Sequence, residues 1–377
     1  LAEGRSTIGP LTLFPTEALQ IRIGAEVAGF EPQAHFSDRQ VALLDRFSQF
    51  AVVAAREAAL QSGLDFAGAL GPRTAAIIGS GVGGIGTLDD GFNRLYAQGS
   101  KRLPPLTVPR MMLNAAASHV SMALGVRGPT FAIASACASA NHAIGTAFQM
   151  VRSGAVDAAV TGGAEASLTF GTIKAWEAIR VMAPDTCQPF SRDRKGMVLG
   201  EGAGMLVLEN YDQARARGAD ILGEMLGFGM SADAGDIVLP SADGAAAALL
   251  ACLADAGLDP GEVAYVNAHG TATTANDITE TSALHKVFGD HARKLAVSST
   301  KSLHGHAMGA SGALEMVATL LAMRDGFIPP TANFTEPDPQ CDLDYVPNET
   351  RAQKIGVALS NSFAFGGLNA VLAVRAA

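Results

Sequence analysis

Strand and helix patterns alternate from one end of the 377-residue chain to the other, and that alternation predicts an α/β fold. The order of elements also repeats, which predicts a duplication into two halves, residues 1–211 and 212–377, although identity between them is not visible. The composition agrees. Hydrophobic residues make up 48% and aromatic ones only 6%, with 42 glycines, so the core is large and built of small side chains that let helices and strands approach closely.

In the first half, residues 74–79 read as a strand followed by a glycine loop, and 130–136 as a second strand running into a helix over 138–151. Residues 156–161 and 204–208 read as two further strands. The segment 212–218 is the expected junction. Beyond it, 263–268 is a strand, and 276–288 is a helix opened by Asn276 and Asp277. Then come a strand at 295–299, a helix at 310–323, and a closing strand pair, 355–359 and 370–374, around a Gly-rich loop. Pro329, Pro330, Pro337 and Pro339 mark an irregular crossing rather than a linker. The chain opens at Leu1 in loop-like sequence with no leading strand, so the expectation is that something upstream is missing.

A net charge of −9 and a pI near 5.4 argue against a nucleic-acid footprint. Residues 91 to 156 nonetheless carry no Asp or Glu while holding Arg94, Lys101, Arg102, Arg110, Arg127 and Arg152. Such a run suits an acidic partner, and a chance composition is the competing reading. The cysteines at 137, 187, 252 and 341 show no paired spacing, so neither a metal site nor a disulfide framework is expected and reduced thiols in a cytoplasm fit. The one uncharged stretch near membrane-spanning length, around 130–151, contains Ser, Cys, Asn, His and Gln, which makes it buried core rather than a span. No signal peptide is evident.

Four segments carry candidate chemistry. Cys137 follows the strand through Ala134-Ser135-Ala136 and precedes a helix of small residues, where unpaired N–H groups and the helix dipole favour a thiolate. A buried packing cysteine is the plain alternative. His269 stands at the end of a strand, where α/β folds present ligand-facing groups, and Thr271 and Thr273 follow it with hydroxyls at alternating positions. Lys301, His304 and His306 share one loop between a strand and an apolar helix, with Glu315 on that helix as a partner for Lys301. Residues 361–367 form a glycine loop in which Phe365 is placed to gate an apolar pocket; a tight hairpin with core aromatics is the competing reading. The run Gly79-Ser80-Gly81-Val82-Gly83-Gly84 matches a dinucleotide-binding pattern, but no acidic residue follows about 20 positions later, so no cofactor is expected.

Together these motifs resemble the β-ketoacyl-acyl-carrier-protein synthases that elongate acyl chains. The resemblance runs through the Cys137 segment, Gly162 to Glu165, Gly200 to Gly204, Asn267 to Thr271, Ser299 to Ser302 with His306, and Asn361 to Gly367. It implies a thiolase-like fold in αβαβα layers, two duplicated halves each with a five-stranded sheet, and a homodimer. It also implies decarboxylative condensation of malonyl and acyl thioesters carried on the phosphopantetheine arm of an acyl-carrier protein. By this resemblance Cys137 accepts the acyl group and His269 and His306 stabilise the enolate. The backbone N–H groups of Cys137 and Phe365 would hold the thioester oxyanion. Lys301 and Glu315 are then a supporting pair, Asp277 and Glu280 acidic positions of unassigned role, and Thr271 and Thr273 the pantetheine contacts. Met112, Phe131 and Met197 are expected in the acyl pocket, and Arg39, Arg46 and Arg127 in carrier docking.

Departures from the family pattern fall at His304, where a small residue is usual, and at Ala364, Leu368 and Met197. With the segment 169–195 they make the chain look like the nodulation-type synthases that build unusual acyl groups. A thiolase would need a second cysteine in 361–367, and chalcone-synthase-like enzymes an Asn where His306 stands. A catalytically impaired homologue, acting as a chain-length or structural partner subunit, is the alternative that Cys137 argues against.

Overall fold

The computed structural model describes all 377 residues. In the first half the strands are β1 (Thr74–Gly79), β2 (Thr130–Ile133), β3 (Ala158–Glu165) and β4 (Gly202–Glu209), in the order β2-β1-β3-β4. The β1–β2 and β1–β3 pairs are parallel, whereas β4 runs antiparallel to β3. In the second half, β5 (Gly223–Ala232), β6 (Tyr265–Asn267), β7 (Ala296–Ser298), β8 (Val357–Ala364) and β9 (Leu368–Ala376) pair in the order β5-β9-β8-β6-β7. Read from their parallel edges the sheets follow one pattern, with β5 the extra strand.

The expected five strands per half are therefore found only in the second. The residues before Thr74 form turns, helices and a two-residue bridge between Gly9–Pro10 and Ile23–Gly24, leaving the outer edge of β4 without a partner. That edge lines a cavity of about 520 Å³ with Leu222, Met225 and Leu320.

Helices α1 (Arg46–Ser62) and α2 (Ala115–Leu124) cover the outer face of the first sheet. Helix α3 (Ser139–Arg152) and helix α8 (Ser311–Asp325) lie between the sheets and touch both, while α5 (Ala242–Ala256) and α6 (Thr274–Phe288) cover the far face. A short helix α4 (Phe170–Ile179) follows β3, and α7 (Lys301–His304) follows β7. The five layers are thus αβαβα. Helix starts are locally encoded: Asp45 accepts the Phe47 N–H, Thr169 that of Thr172, and Ser241 that of Gly244. At Gly229 of β5, a Cβ would fall 2.2 Å from the Ala248 carbonyl oxygen, so only glycine lets α5 press this closely onto the strand.

The central layer matters most for the site. Ala138, Ala140 and Ile144 of the α3 region, Ala313 and Met316 of α8, and Ala364, Ala370 and Leu372 of the second sheet share one buried cluster with Cys137. The carboxyl ends of β2, β3, β6, β7 and β8 all open toward it, where open α/β sheets hold ligands.

Candidate active site

The turn that delivers Cys137 is strained and pinned. Ala136, just before it, has φ +49, a left-handed conformation that costs an alanine about 1–2 kcal/mol. Ser139 holds the turn on both sides, its hydroxyl donating to the Ala136 carbonyl at 2.6 Å and accepting the Ser135 N–H at 2.9 Å. Gly79 of β1 permits the approach, since a Cβ there would lie 2.4 Å from the Ser139 carbonyl carbon. Cys137 is 6% exposed.

The sequence predicts a thiolate here, and the structure corrects this. Burial pushes the Cys137 thiol up to about 12, although Lys301 and the Cys137 backbone pull it down. Cys137 stands two residues ahead of the helix start, and burial is the largest influence on its thiol. The resting group is a neutral thiol whose Sγ lies 3.1 Å from His306 Nε2.

His306 reaches this position because its backbone is built into the first half. Its N–H donates to Val198 O at 2.7 Å and its carbonyl accepts the Gly200 N–H at 2.9 Å. Its Nδ1 lies 2.7 Å from the Ser311 hydroxyl on α8. His269 stands edge-on, with ring centroids 5.5 Å apart. Cys137 Sγ and one ring nitrogen of each histidine lie within 4.8 Å of one another. Burial, then the charge of Lys301, pushes both imidazoles well below their ordinary range, so both are neutral.

Lys301 sets the His269 tautomer. Its Nζ lies 3.4 Å from His269 Nδ1 and also pairs with Glu315, both side chains being fully buried. An ammonium has donors only, so Nδ1 is the acceptor and the ring proton sits on Nε2. The same contact disfavours a metal on the Cys137–His269–His306 trio. A ligating histidine donates its other N–H to an acceptor, whereas here that nitrogen faces a cation. Glu280 fixes the strand end by accepting the N–H groups of His269 and Gly270 at 2.9 and 2.8 Å and the Asn361 amide at 3.0 Å.

The remaining predicted residues divide. Asp277 is buried and accepts the Phe190 N–H at 2.7 Å, with the Arg194 guanidinium at 3.5 Å; burial pushes it up to about 6 against the pull of that cation. It ties residues 188–198 to α6 rather than facing Cys137. Thr271 and Thr273 hydroxyls are 2.9 Å apart, and Thr273 also caps α6 through the Asn276 N–H. Met197 shares the Cys137 cluster, whereas Met112 and Phe131 stand outside it, 40% and 37% exposed. His304 turns away, binding the Thr300 hydroxyl at 3.0 Å and the Gly305 carbonyl at 2.9 Å, so His306 is the inward imidazole. The 361–367 loop is shorter than expected. Residues up to Ala364 belong to β8, Phe363 packs against His269, and only Phe365–Gly367 form the turn. Neither the Cys137 nor the Phe365 N–H makes a backbone hydrogen bond.

Sequence reasoning quoted Glu165, which closes β3, only as the end of a motif and gave it no role. Its buried carboxylate accepts the N–H groups of Gly81 at 2.6 Å, Val82 at 3.3 Å and Gly309 at 3.0 Å and the Ser80 hydroxyl at 3.1 Å. The glycine loop therefore spends its N–H groups on a carboxylate of the protein, the physical reason it is no dinucleotide site. Arg194 and Asn361 went unassigned because each acts across a long sequence separation, and Ser311, five residues from His306, because only the turn between them brings its hydroxyl onto the ring. Of the docking arginines, Arg46 is engaged with Glu201 at 2.6 Å and stacked on Phe50, so it is not free. Arg127 reaches the Gly68 carbonyl, and Arg39 is exposed.

The profile of the beta-ketoacyl synthase N-terminal domain matches residues 1–214, and that of the C-terminal domain residues 222–335. Nodulation protein E of Rhizobium sp. (strain N33) is 51% identical over 375 residues, covering 100% of this chain and 93% of that protein. The 3-oxoacyl-[acyl-carrier-protein] synthase 2 of Synechocystis sp. is 42% identical over 383 residues, covering 100% and 92%. Among solved structures, the ishigamide ketosynthase/chain length factor superimposes with TM-score 0.95 at 35% identity, covering 100% of this chain and 93% of that one. A beta-ketoacyl synthase from Burkholderia phymatum STM815 gives 0.91 at 33%, with the same coverage. Fold, motif order and these likenesses agree: the chain belongs to the beta-ketoacyl synthase family and is a condensing acyltransferase.

Proposed function

We propose that Cys137 carries the acyl group and that His269 and His306 drive the condensation. The contact between Cys137 Sγ and His306 Nε2 carries this reading. His306 Nε2 takes the thiol proton as Sγ attacks the acyl thioester of the carrier. The C–S bond to pantetheine breaks, the carrier thiolate recovers the proton, and the acyl group remains on Cys137. Malonyl-carrier then binds. Its C–CO₂ bond breaks, and the electron pair forms an enolate whose oxygen accepts from His269 Nε2–H and from His306 in the tautomer that carries its proton on Nε2, where Nδ1 accepts from the Ser311 hydroxyl. The enolate carbon attacks the Cys137 thioester, Sγ leaves and takes a proton from solvent to restore the thiol, and the product is a 3-oxoacyl thioester on the carrier with CO₂ released. The unengaged N–H groups of Cys137 and Phe365 suit the oxyanion of both acyl transfers, each preorganised donor being worth about 3–4 kcal/mol. Histidines that rest neutral fit these roles: His306 can take the thiol proton in passing and, destabilised as a cation by Lys301, readily gives it up to the leaving thiolate.

The protein works on this reading as a homodimer in the cytoplasm. The free edge of β2 and exposed Met112, Leu113, Met122 and Phe131 support a two-fold interface, and four unpaired cysteines suit a reducing compartment. Exposed Arg94, Lys101 and Arg102 make no ion pair and offer the acidic carrier a landing surface. Greater identity to rhizobial nodulation protein E than to the synthase 2 proteins favours a specialised acyl chain. The test is intact-mass spectrometry after incubation with acyl-carrier protein. One acyl group should add to the wild type and none to Cys137→Ala. Equal gain in both would overturn the assignment, and no gain in either would favour the chain-length partner reading.

A further inference from the structure

Trp176 is the only tryptophan in the chain, and it lies on α4 of the first half. Its ring stands 5.7 Å from that of Phe365, which comes from the second half, with the planes inclined at 37°. Both side chains are partly exposed, while Ala364, immediately before Phe365, is buried in the Cys137 cluster against which Trp176 and Leu368 also pack. The pair therefore sits where the apolar space around Cys137 meets solvent.

The turn Phe365–Gly366–Gly367 is tethered at its glycines. Gly366 and Gly367 hold φ of +85 and +68. The Gly366 N–H donates to Ile237 O at 2.8 Å, the Asp233 N–H donates to Gly367 O at 2.9 Å, and Asn369 grips the Asp233 carboxylate at 2.7 Å. Phe365 has no such tie. Its N–H is unengaged, and the one aromatic neighbour of its ring is Trp176. The one aromatic contact of the ring therefore joins the two halves.

We infer that Trp176 is the counter-face against which Phe365 closes, a positioning residue that sets how readily an aliphatic acyl thioester reaches Cys137 and how well water is kept from the acyl-enzyme. The inference rests on the reading of Cys137 as acyl acceptor. A tilted aromatic pair favours the closed arrangement by about 2- to 12-fold over one without the contact. Trp176→Ala should accelerate acyl loading by that factor and raise hydrolytic loss of the acyl group, and Trp176→Phe should restore wild-type behaviour.

The experiment follows acyl loading by intact mass and, in the same wild-type samples, the emission of the sole tryptophan. As the acyl group enters, Phe365 leaves the indole and water replaces it, so emission shifts to longer wavelength in step with the mass gain. Full acylation with unchanged emission would overturn the inference and leave Cys137 as the acceptor. Trp176→Ala loading and hydrolysing at wild-type rates would do the same. Absence of any acylation would overturn both. Because the emission is read on the unmodified protein, the test survives if Trp176→Ala folds poorly.

Discussion

Removing the Glu315 carboxylate should separate what holds the second half together from what makes it reactive. Lys301 and Glu315 are fully buried, and Lys301 has His269 Nδ1 as its other partner at 3.4 Å. Glu315→Leu leaves an ammonium in the interior without a counter-charge, which costs about 3–5 kcal/mol. With a urea m-value of about 3 kcal/mol/M, the upper end for small proteins, the unfolding midpoint falls by about 1 M or more. Adding Lys301→Met removes the stranded charge and should return stability to within about 1–2 kcal/mol of wild type, since buried pairs replaced by apolar groups are often neutral. The double variant still lacks the donor that fixes the His269 proton on Nε2. Malonyl-carrier decarboxylation should therefore stay at least about 10-fold down although the fold is restored, judged against the 10²–10³-fold that loss of one oxyanion donor costs. Urea unfolding followed by circular dichroism gives the first quantity and CO₂ release the second. A single variant destabilised by less than about 1 kcal/mol, with a double variant no better, would refute the reasoning.

Three further outcomes follow from the same geometry. With its thiol pushed up to about 12, Cys137 should alkylate about tenfold faster per pH unit from 7 to 10; a plateau below pH 9 would indicate a resting thiolate. Burial raises the Glu165 carboxyl from 4.5 to about 7, so the folded state binds that proton more tightly than the unfolded one. Its contribution is full below pH about 4.5 and is lost by pH about 7, on the order of 3 kcal/mol. Stability of wild type relative to Glu165→Gln should fall across that window in calorimetry, and parallel profiles would contradict this. Reversing Arg94, Lys101 and Arg102 to Glu should weaken carrier affinity at least about tenfold in low salt, with the difference shrinking as ionic strength rises; unchanged affinity by titration calorimetry would exclude this surface.

Much of the site was legible in the sequence because its pieces are local. Cys137, His269 and His306 each follow a strand whose apolar run is plain, and the small residues after Cys137 mark a helix that must come close. The parts that were not legible depend on contacts between distant segments. Glu165 is bound by Gly309, and Arg194 meets Asp277, across separations that no periodicity reports. Strand β5 was missed because its glycines lower strand propensity, and they are there so that α5 can press against them. The state of Cys137 was misjudged for a related reason: helix position can be read from sequence, whereas the burial that overrides it is a property of the assembled core. Arg46 looked like a surface cation until Glu201, from β4's approach, claimed it.

The most direct test of the central claim is to chase the purified acyl-enzyme with malonyl-carrier and weigh both proteins. The acyl mass should leave Cys137 and appear on the carrier as a 3-oxoacyl group, that is acyl plus malonyl minus CO₂, with one CO₂ released per chain transferred. Variants His269→Ala and His306→Ala should form the 3-oxoacyl product at least about 100-fold more slowly than wild type, as loss of an oxyanion donor requires. Loss of the acyl group to water, or its return to the carrier unextended with no CO₂ released, would contradict the account.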